Sequence, residues 1–270
     1  MKRLHDKDRL WFTMLWIGLY VAGSGTADGL SVQMGLPKSI TVLFHAGLSL
    51  LALVWLRKHG LLRQYGLCKS EIPAVRFLYY IPLVFLASCN LWYGTAWNRP
   101  LAETVCYIGS MCCVGFLEEL IFRGFLFRAM ERDGAGWAIG VSSLTFGLGH
   151  IINLLNGSGV ELVSNLCQVC SATAFGFLFV ILFYKGKSLL PCIAAHSSIN
   201  VLSAFANEGN VTGGREILMS LVLCVTAAAD RAALDAEAAW GGAGVRLSTG
   251  GYQVRFALLE WLETRRNAAE

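Results

Sequence analysis

The chain has 270 residues, of which 55% are hydrophobic and only 15% charged, with a formal net charge of +4. Water-soluble domains carry about a quarter charged residues, so an ordinary soluble fold does not fit. The modest basic excess is scattered among loops and gives no footprint for nucleic acid.

Apolar runs approaching the ~20 residues needed to cross a bilayer recur along the chain. They predict an all-α, polytopic transmembrane helix bundle of about eight spans, at about 10–28, 39–56, 73–94, 104–127, 136–154, 160–184, 188–206 and 215–229. The first run lacks a small-residue cleavage site and reads as a retained helix. Turn signals separate the spans at Gly35-Leu-Pro37, Asn98-Arg-Pro100, Asp133-Gly134, Asn156-Gly-Ser-Gly159 and Gly213-Gly214. Gly136 and Gly140 have the small-xxx-small spacing that allows close helix approach in span five.

Basic residues alternate from loop to loop. Lys2, Arg3, Lys7 and Arg9 precede span one, and Arg57, Lys58, Arg63 and Lys69 follow span two. Arg128 and Arg132 follow span four, and Lys185 and Lys187 follow span six. The intervening loops carry only Lys38, Arg99 and Arg215, so both termini are expected in the cytoplasm. Residues 1–229 are expected to form the membrane domain and 230–270 a small cytoplasmic appendage. Within it lie an alanine-rich helical stretch, a weak hairpin signal around Gly250-Gly251 and a short amphipathic helix over 256–266.

Most of the nine cysteines lie in apolar runs, where they behave as small hydrophobes rather than as a disulfide framework. Cys167-Gln-Val-Cys170 has the spacing of a redox or metal pair but no second pair to complete a site, so packing is the expected role.

Three polar clusters interrupt the apolar spans. In Gly115-Phe-Leu-Glu-Glu-Leu-Ile-Phe-Arg-Gly124, ionised groups stand where each costs several kcal/mol unless paired. On a helix Glu119 and Arg123 are i and i+4 neighbours, while Glu118 is rotated by about 100° and left free to face a cavity. The plainer alternative is a structural ion pair with Glu118 reaching toward water. In Phe146-Gly-Leu-Gly-His150, Phe146 and His150 share a face with room left by the glycines for a helix or a substrate backbone; alone, this reads as a histidine at a helix end. In His196-Ser-Ser-Ile-Asn200, His196 and Asn200 share a face inside a membrane that offers them few partners. By helix rise, His150 lies ~20 Å from Gly136, deeper than Glu118 and His196 from the same side. Together the clusters supply a carboxylate, two imidazoles and an amide on three spans, the inventory of a hydrolase site.

Glu-Glu-x-x-x-Arg at 118–123, Phe-x-x-x-His at 146–150 and His-x-x-x-Asn at 196–200, in this order, resemble the CPBP family of intramembrane proteases. That family includes the type II CAAX prenyl endopeptidases and bacterial abortive-infection and bacteriocin-processing relatives. The resemblance covers roughly residues 104–205, and Tyr65-Gly-Leu67 is similar to a short element of bacterial members. It implies a multi-pass enzyme of a bacterial plasma membrane that cleaves a membrane-associated or lipidated peptide or protein. Glu118 would activate water with His150, His196 and Asn200 would stabilise the oxyanion, and Glu119, Arg123 and Phe146 would support them. A glutamate-type mechanism without a cofactor is favoured over a zinc site built from Glu118, His150 and His196. A non-catalytic scaffold or bacteriocin-immunity partner is the alternative. A proton-coupled transporter is disfavoured, because the spans show no inverted repeat and no pair of broken helices.

Overall fold

The computed structural model describes residues 1–72, 81–155, 161–210 and 213–243, excepting the side chains of 81, 82, 155, 208 and 230–243. The expected turn at 156–159, the first part of the third expected span, and the hairpin and short helix of the tail lie outside these residues. By internal contacts the chain divides into Met1–Ala232 and Ala233–Glu270. Helices α1 to α10 and the first part of α11 belong to the first unit.

The described residues form helices and no strand, with one antiparallel bridge between Thr95 and Ala206. In order these are α1 (Lys2–Lys7), α2 (Arg9–Gln33), α3 (Ser39–Lys58), α4 (Ile81–Ala87), α5 (Leu101–Glu118), a π-helix (Glu119–Phe127), α6 (Arg128–Met130), α7 (Ala135–Gly149), α8 (Ile152–Leu155), α9 (Leu162–Gly186), α10 (Leu190–Leu202) and α11 (Gly213–Ala243). Among the described residues, five stretches are long and apolar enough to cross a membrane: Arg9–Gln33, Ser39–Lys58, Leu101–Asp133, Ala135–Leu154 and Leu162–Gly186. They coincide with five of the eight expected spans. The seventh expected span is a shorter apolar helix, Leu190–Phe205. The chain is an all-α, multi-pass membrane helix bundle.

Local chemistry sets the element ends. Asp8 caps α2 by accepting from the Trp11 backbone N–H at 3.0 Å. Gly35, at φ 74°, turns α2 into α3, and Gly134, at φ 132°, precedes α7. Pro191 stands in the first turn of α10, where its missing N–H costs nothing.

Close helix approach occurs at glycines other than those the spacing suggested. A Cβ on Gly136 or Gly140 would meet nothing within 4 Å. One on Gly147 would strike Thr173, and one on Gly176 would lie 2.9 Å from the Ser143 backbone, so α7 and α9 pack through these two residues. Gly115 does the same for α5 and α10, its face lying against the Ser197 backbone. Span four is also not one regular helix. After Glu118 its hydrogen bonds widen to the π pattern for nine residues, all of them buried.

Candidate active site

The π-helix begins at the second of the two adjacent carboxylates, and the two have different surroundings. Glu119 and Arg123 are fully buried, with Nη1 of Arg123 3.1 Å from Oε1 of Glu119. This is a charge contact rather than an aligned hydrogen bond, since the three guanidinium nitrogens and Oε2 of Glu119 have no hydrogen-bond partner among the described residues. The guanidinium is held from its face instead, with Cζ 4.0 Å above the centre of the Phe146 ring and 5.6 Å from that of Phe179. Ser142 of α7 donates to the Phe122 carbonyl at 2.8 Å, tying the π segment to the helix that carries Phe146.

Glu118, 15% exposed at the side chain, accepts a hydrogen bond from the Tyr20 hydroxyl of α2 at Oε1, 2.7 Å away. Its other oxygen lies 3.4 Å from Nε2 of His196. His196 donates from Nδ1 to Glu119 at 2.8 Å, so one imidazole joins the two carboxylates. A carboxylate can only accept from Nδ1, which assigns that nitrogen its hydrogen and turns Nε2 toward Glu118. The α5–α10 contact at Gly115 and Ser197 lies one turn from Glu118 and one residue from His196, and therefore sets this spacing.

Phe146 is the hub of the second cluster. Its ring meets the rings of His150, His196 and Phe122 edge-on, at 5.2, 5.7 and 5.4 Å. His150 itself caps α7 and makes no hydrogen bond or ion pair with Glu118. Its Nδ1 lies 3.1 Å from the Phe146 carbonyl, which again places the hydrogen on Nδ1 and leaves Nε2 as a free lone pair without a partner among the described residues. Asn165 of α9 donates to the His150 carbonyl at 2.8 Å and holds this end of the helix. The Asn200 side chain, one turn beyond His196 on α10, is half-buried and likewise without a hydrogen-bond partner among the described residues. The structure thus joins Glu118, Glu119, Arg123, Phe146 and His196 directly, connects His150 through the Phe146 ring, and sets Asn200 beside the cluster.

Tyr20 is the contributor that the motifs do not reveal. It belongs to a polar seam between α2, α3 and α5. Ser24 donates to the Tyr20 carbonyl at 2.6 Å and accepts from His45 Nε2 at 2.9 Å, while Ser110 donates to His45 Nδ1 at 3.0 Å. The His45 ring lies 5.8 Å from that of Tyr20. The i, i+4 spacing of Tyr20, Ser24 and Asp28 in span one was the available signal.

The conditional set for a metal ion was Glu118, His150 and His196. Among the described residues no group of three His, Cys, Asp or Glu converges closely enough to hold one. Cys167 and Cys170 are both unbridged.

Comparison with known proteins covers the stretch that contains most of these residues. Residues 100–202 match the family model described as Type II CAAX prenyl endopeptidase Rce1-like. No curated protein and no solved structure matches the chain. The match spans Glu118 to Asn200 and leaves out α2 and α3, which supply Tyr20 and its support. Over residues 100–202 this membrane protein is therefore similar to the Rce1-like, type II CAAX prenyl endopeptidase family.

Proposed function

We propose that the chain is an intramembrane endopeptidase that hydrolyses a peptide bond of a membrane-associated or lipidated peptide or protein, with Glu118 as general base. The observation that carries this reading is the pinned but incompletely satisfied state of Glu118. Tyr20 fixes one oxygen, and the other faces His196 at a distance too long for a direct hydrogen bond.

The chemistry follows from the groups in place. Glu118 takes a proton from water as the water oxygen attacks the scissile carbonyl carbon, and the carbonyl π electrons move onto oxygen. The oxyanion is met by the Asn200 amide and by Nε2–H of His196 in its imidazolium form, which keeps Nδ1–H on Glu119; removing one such donor typically costs ~10²–10³-fold in rate. Collapse of the tetrahedral species breaks the C–N bond, and the proton held by Glu118 passes to the leaving amine. The free Nε2 of His150 orients the attacking water or relays its proton. Glu119 fixes the tautomer of His196, and Arg123, stacked on Phe146, balances the charge of Glu119.

Glutamate-type hydrolysis is the favoured form, because the site offers a positioned carboxylate. Stoichiometric zinc in active protein, with chelator inhibition reversed by zinc, would replace this form with a metallopeptidase. The loop charges support a plasma-membrane orientation with both termini cytoplasmic, and residues 1–229 as the membrane domain.

The test compares cellular and secreted peptides from cells carrying the wild type or Glu118→Ala, followed by cleavage of the identified substrate with purified protein. Peptides present only with the wild type, and a loss of ~10²–10⁴-fold in both Glu118→Ala and His150→Ala, are expected. Undiminished cleavage by Glu118→Ala overturns the assignment.

A further inference from the structure

A cavity among the described residues lies away from Glu118, at the end of the bundle that carries the basic loops. It has a volume of about 780 Å³, within the range of about 300–1,000 Å³ of small-ligand sites. Six cations line it: Arg9 at the start of α2, Arg63 and Lys69 from the segment after α3, Arg128 and Arg132 beyond the π-helix, and Lys187 between α9 and α10. Two carboxylates, Glu71 and Glu131, are the only acidic residues in its wall. Glu131 is already taken by Arg128 at 2.6 Å. Arg9, Arg63, Lys69, Arg132 and Lys187 have no carboxylate within 4 Å among the described residues.

The wall is built rather than incidental. The segment after α3 is stapled to the α9–α10 turn by Leu189 N–H donating to the Gly66 carbonyl at 2.8 Å, Ser188 to the Cys68 carbonyl at 2.6 Å, and Glu71 N–H to the Gly186 carbonyl at 2.9 Å. Gly66 takes φ 74°, and a Cβ there would strike Phe183. Lys187 takes φ 54°, a left-handed conformation uncommon outside glycine, and its ammonium stands 4.3 Å over the Tyr184 ring. Arg128 lies with Cζ 4.6 Å from the Phe183 ring centre. The cations therefore converge on a preformed cleft.

Like charges converged without counter-charges repel, and an anion with several acceptor oxygens relieves that. Arginine forks match phosphate bidentately, and lysines add point charges. Arg9, Arg128 and Lys187 each stand at an end of an apolar stretch, the depth at which lipid phosphates lie, and basic pockets between membrane helices bind such headgroups. We propose that this cavity is a binding site for a phosphate group, supplied by the headgroup of an anionic phospholipid. The site is separate from the carboxylate–histidine cluster and does not depend on the peptidase reading.

The test uses the purified full-length protein in detergent micelles and follows its melting temperature against added phosphatidylglycerol, phosphatidylcholine or inorganic phosphate. Phosphatidylglycerol is expected to stabilise saturably and phosphatidylcholine not. Arg63→Gln/Arg132→Gln, both exposed side chains, should weaken the effect at least about tenfold. Arg57→Gln/Lys58→Gln removes equal charge from the end of α3, outside the cavity, and should leave it unchanged. Lys69→Gln serves as a second probe should the double variant melt lower without additive. Saturation by millimolar phosphate, with the same dependence on Arg63 and Arg132 but no advantage of phosphatidylglycerol over phosphatidylcholine, supports the phosphate chemistry and overturns the lipid as its source. Equal losses in the two double variants, or no saturable effect of any additive, overturn the site.

Discussion

His45 and His150 are both imidazoles on membrane helices, and their surroundings differ in kind. His45 spends both ring nitrogens on hydroxyls, accepting from Ser110 and donating to Ser24. His150 spends one on a carbonyl of its own helix and keeps the other free. A contrast in access to water separates Glu119, sealed in with Arg123 and His196, from Glu118, which is partly exposed and keeps one oxygen without a direct hydrogen bond. A polar group sealed away from water acts as structure, and one held in place, reachable and incompletely bonded is available for chemistry.

Substitutions can break this contrast in order of effect. The largest falls on the two carboxylates. Glu118→Gln should lose ~10³-fold or more in cleavage rate while melting close to the wild type, as a general base is removed without loss of packing. Glu119→Gln should leave the Arg123 charge uncompensated in a fully buried site, costing about 3–5 kcal/mol in denaturant unfolding. If the two variants exchange these phenotypes, the division of labour is wrong. Next in size, His45→Leu should cost about 1–3 kcal/mol by stranding the Ser110 hydroxyl and removing the bond that Ser24 accepts, with cleavage per folded molecule retained. A large loss of activity at unchanged stability would move His45 into the site. Tyr20→Phe deletes one hydrogen bond to a charged group, and a fall of about tenfold in kcat with little change in KM is expected.

The smallest effect lies outside the spans, in α1. His5 donates to Asp6 and accepts from the buried Tyr65 hydroxyl at 2.6 Å. Burial, above all, holds its imidazole below the ordinary value of 6.5, aided by the charges of Lys2 and Arg9 and opposed by the bond to Asp6. The unfolded chain therefore binds this proton at higher pH than the folded one. The stability tied to neutral His5 is complete above about pH 6.5 and declines as pH falls below it. Melting curves between pH 7.5 and 5.5 should show that decline reduced in His5→Gln; an unchanged slope would mean that α1 does not report on this group.

Much of the fold was legible because hydropathy alone marks apolar runs of sufficient length, and five of the eight expected spans are such helices. The Glu119–Arg123 pair and the Phe146–His150 face were legible from i, i+4 spacing. Three features were not. Tyr20 is one aromatic in an apolar helix, and only the polar seam it shares with Ser24 and His45 distinguishes it from packing. The resemblance implied that Glu118 and His150 act on one water; that His196 stands against Glu118, with the Phe146 ring against both histidines, came only with the packing. The π-helix could not be read at all, because Leu120, Ile121 and Phe122 suit an α-helix equally well and the choice between hydrogen-bond patterns belongs to the packing around them.

That π-helix also decides which insertions and deletions the chain can bear. Bonds from residue i to i+5 take up more chain per turn than bonds to i+4, so the segment holds slack that an α-helix lacks. Deleting one residue between Glu119 and Phe127 would let the backbone tighten to α bonds with the flanking register kept, whereas adding one would turn every side chain beyond it by about 100°. Phe125, packed on Phe12, Trp16 and Tyr65, would be carried off its partners. In length this stretch bears a loss better than a gain.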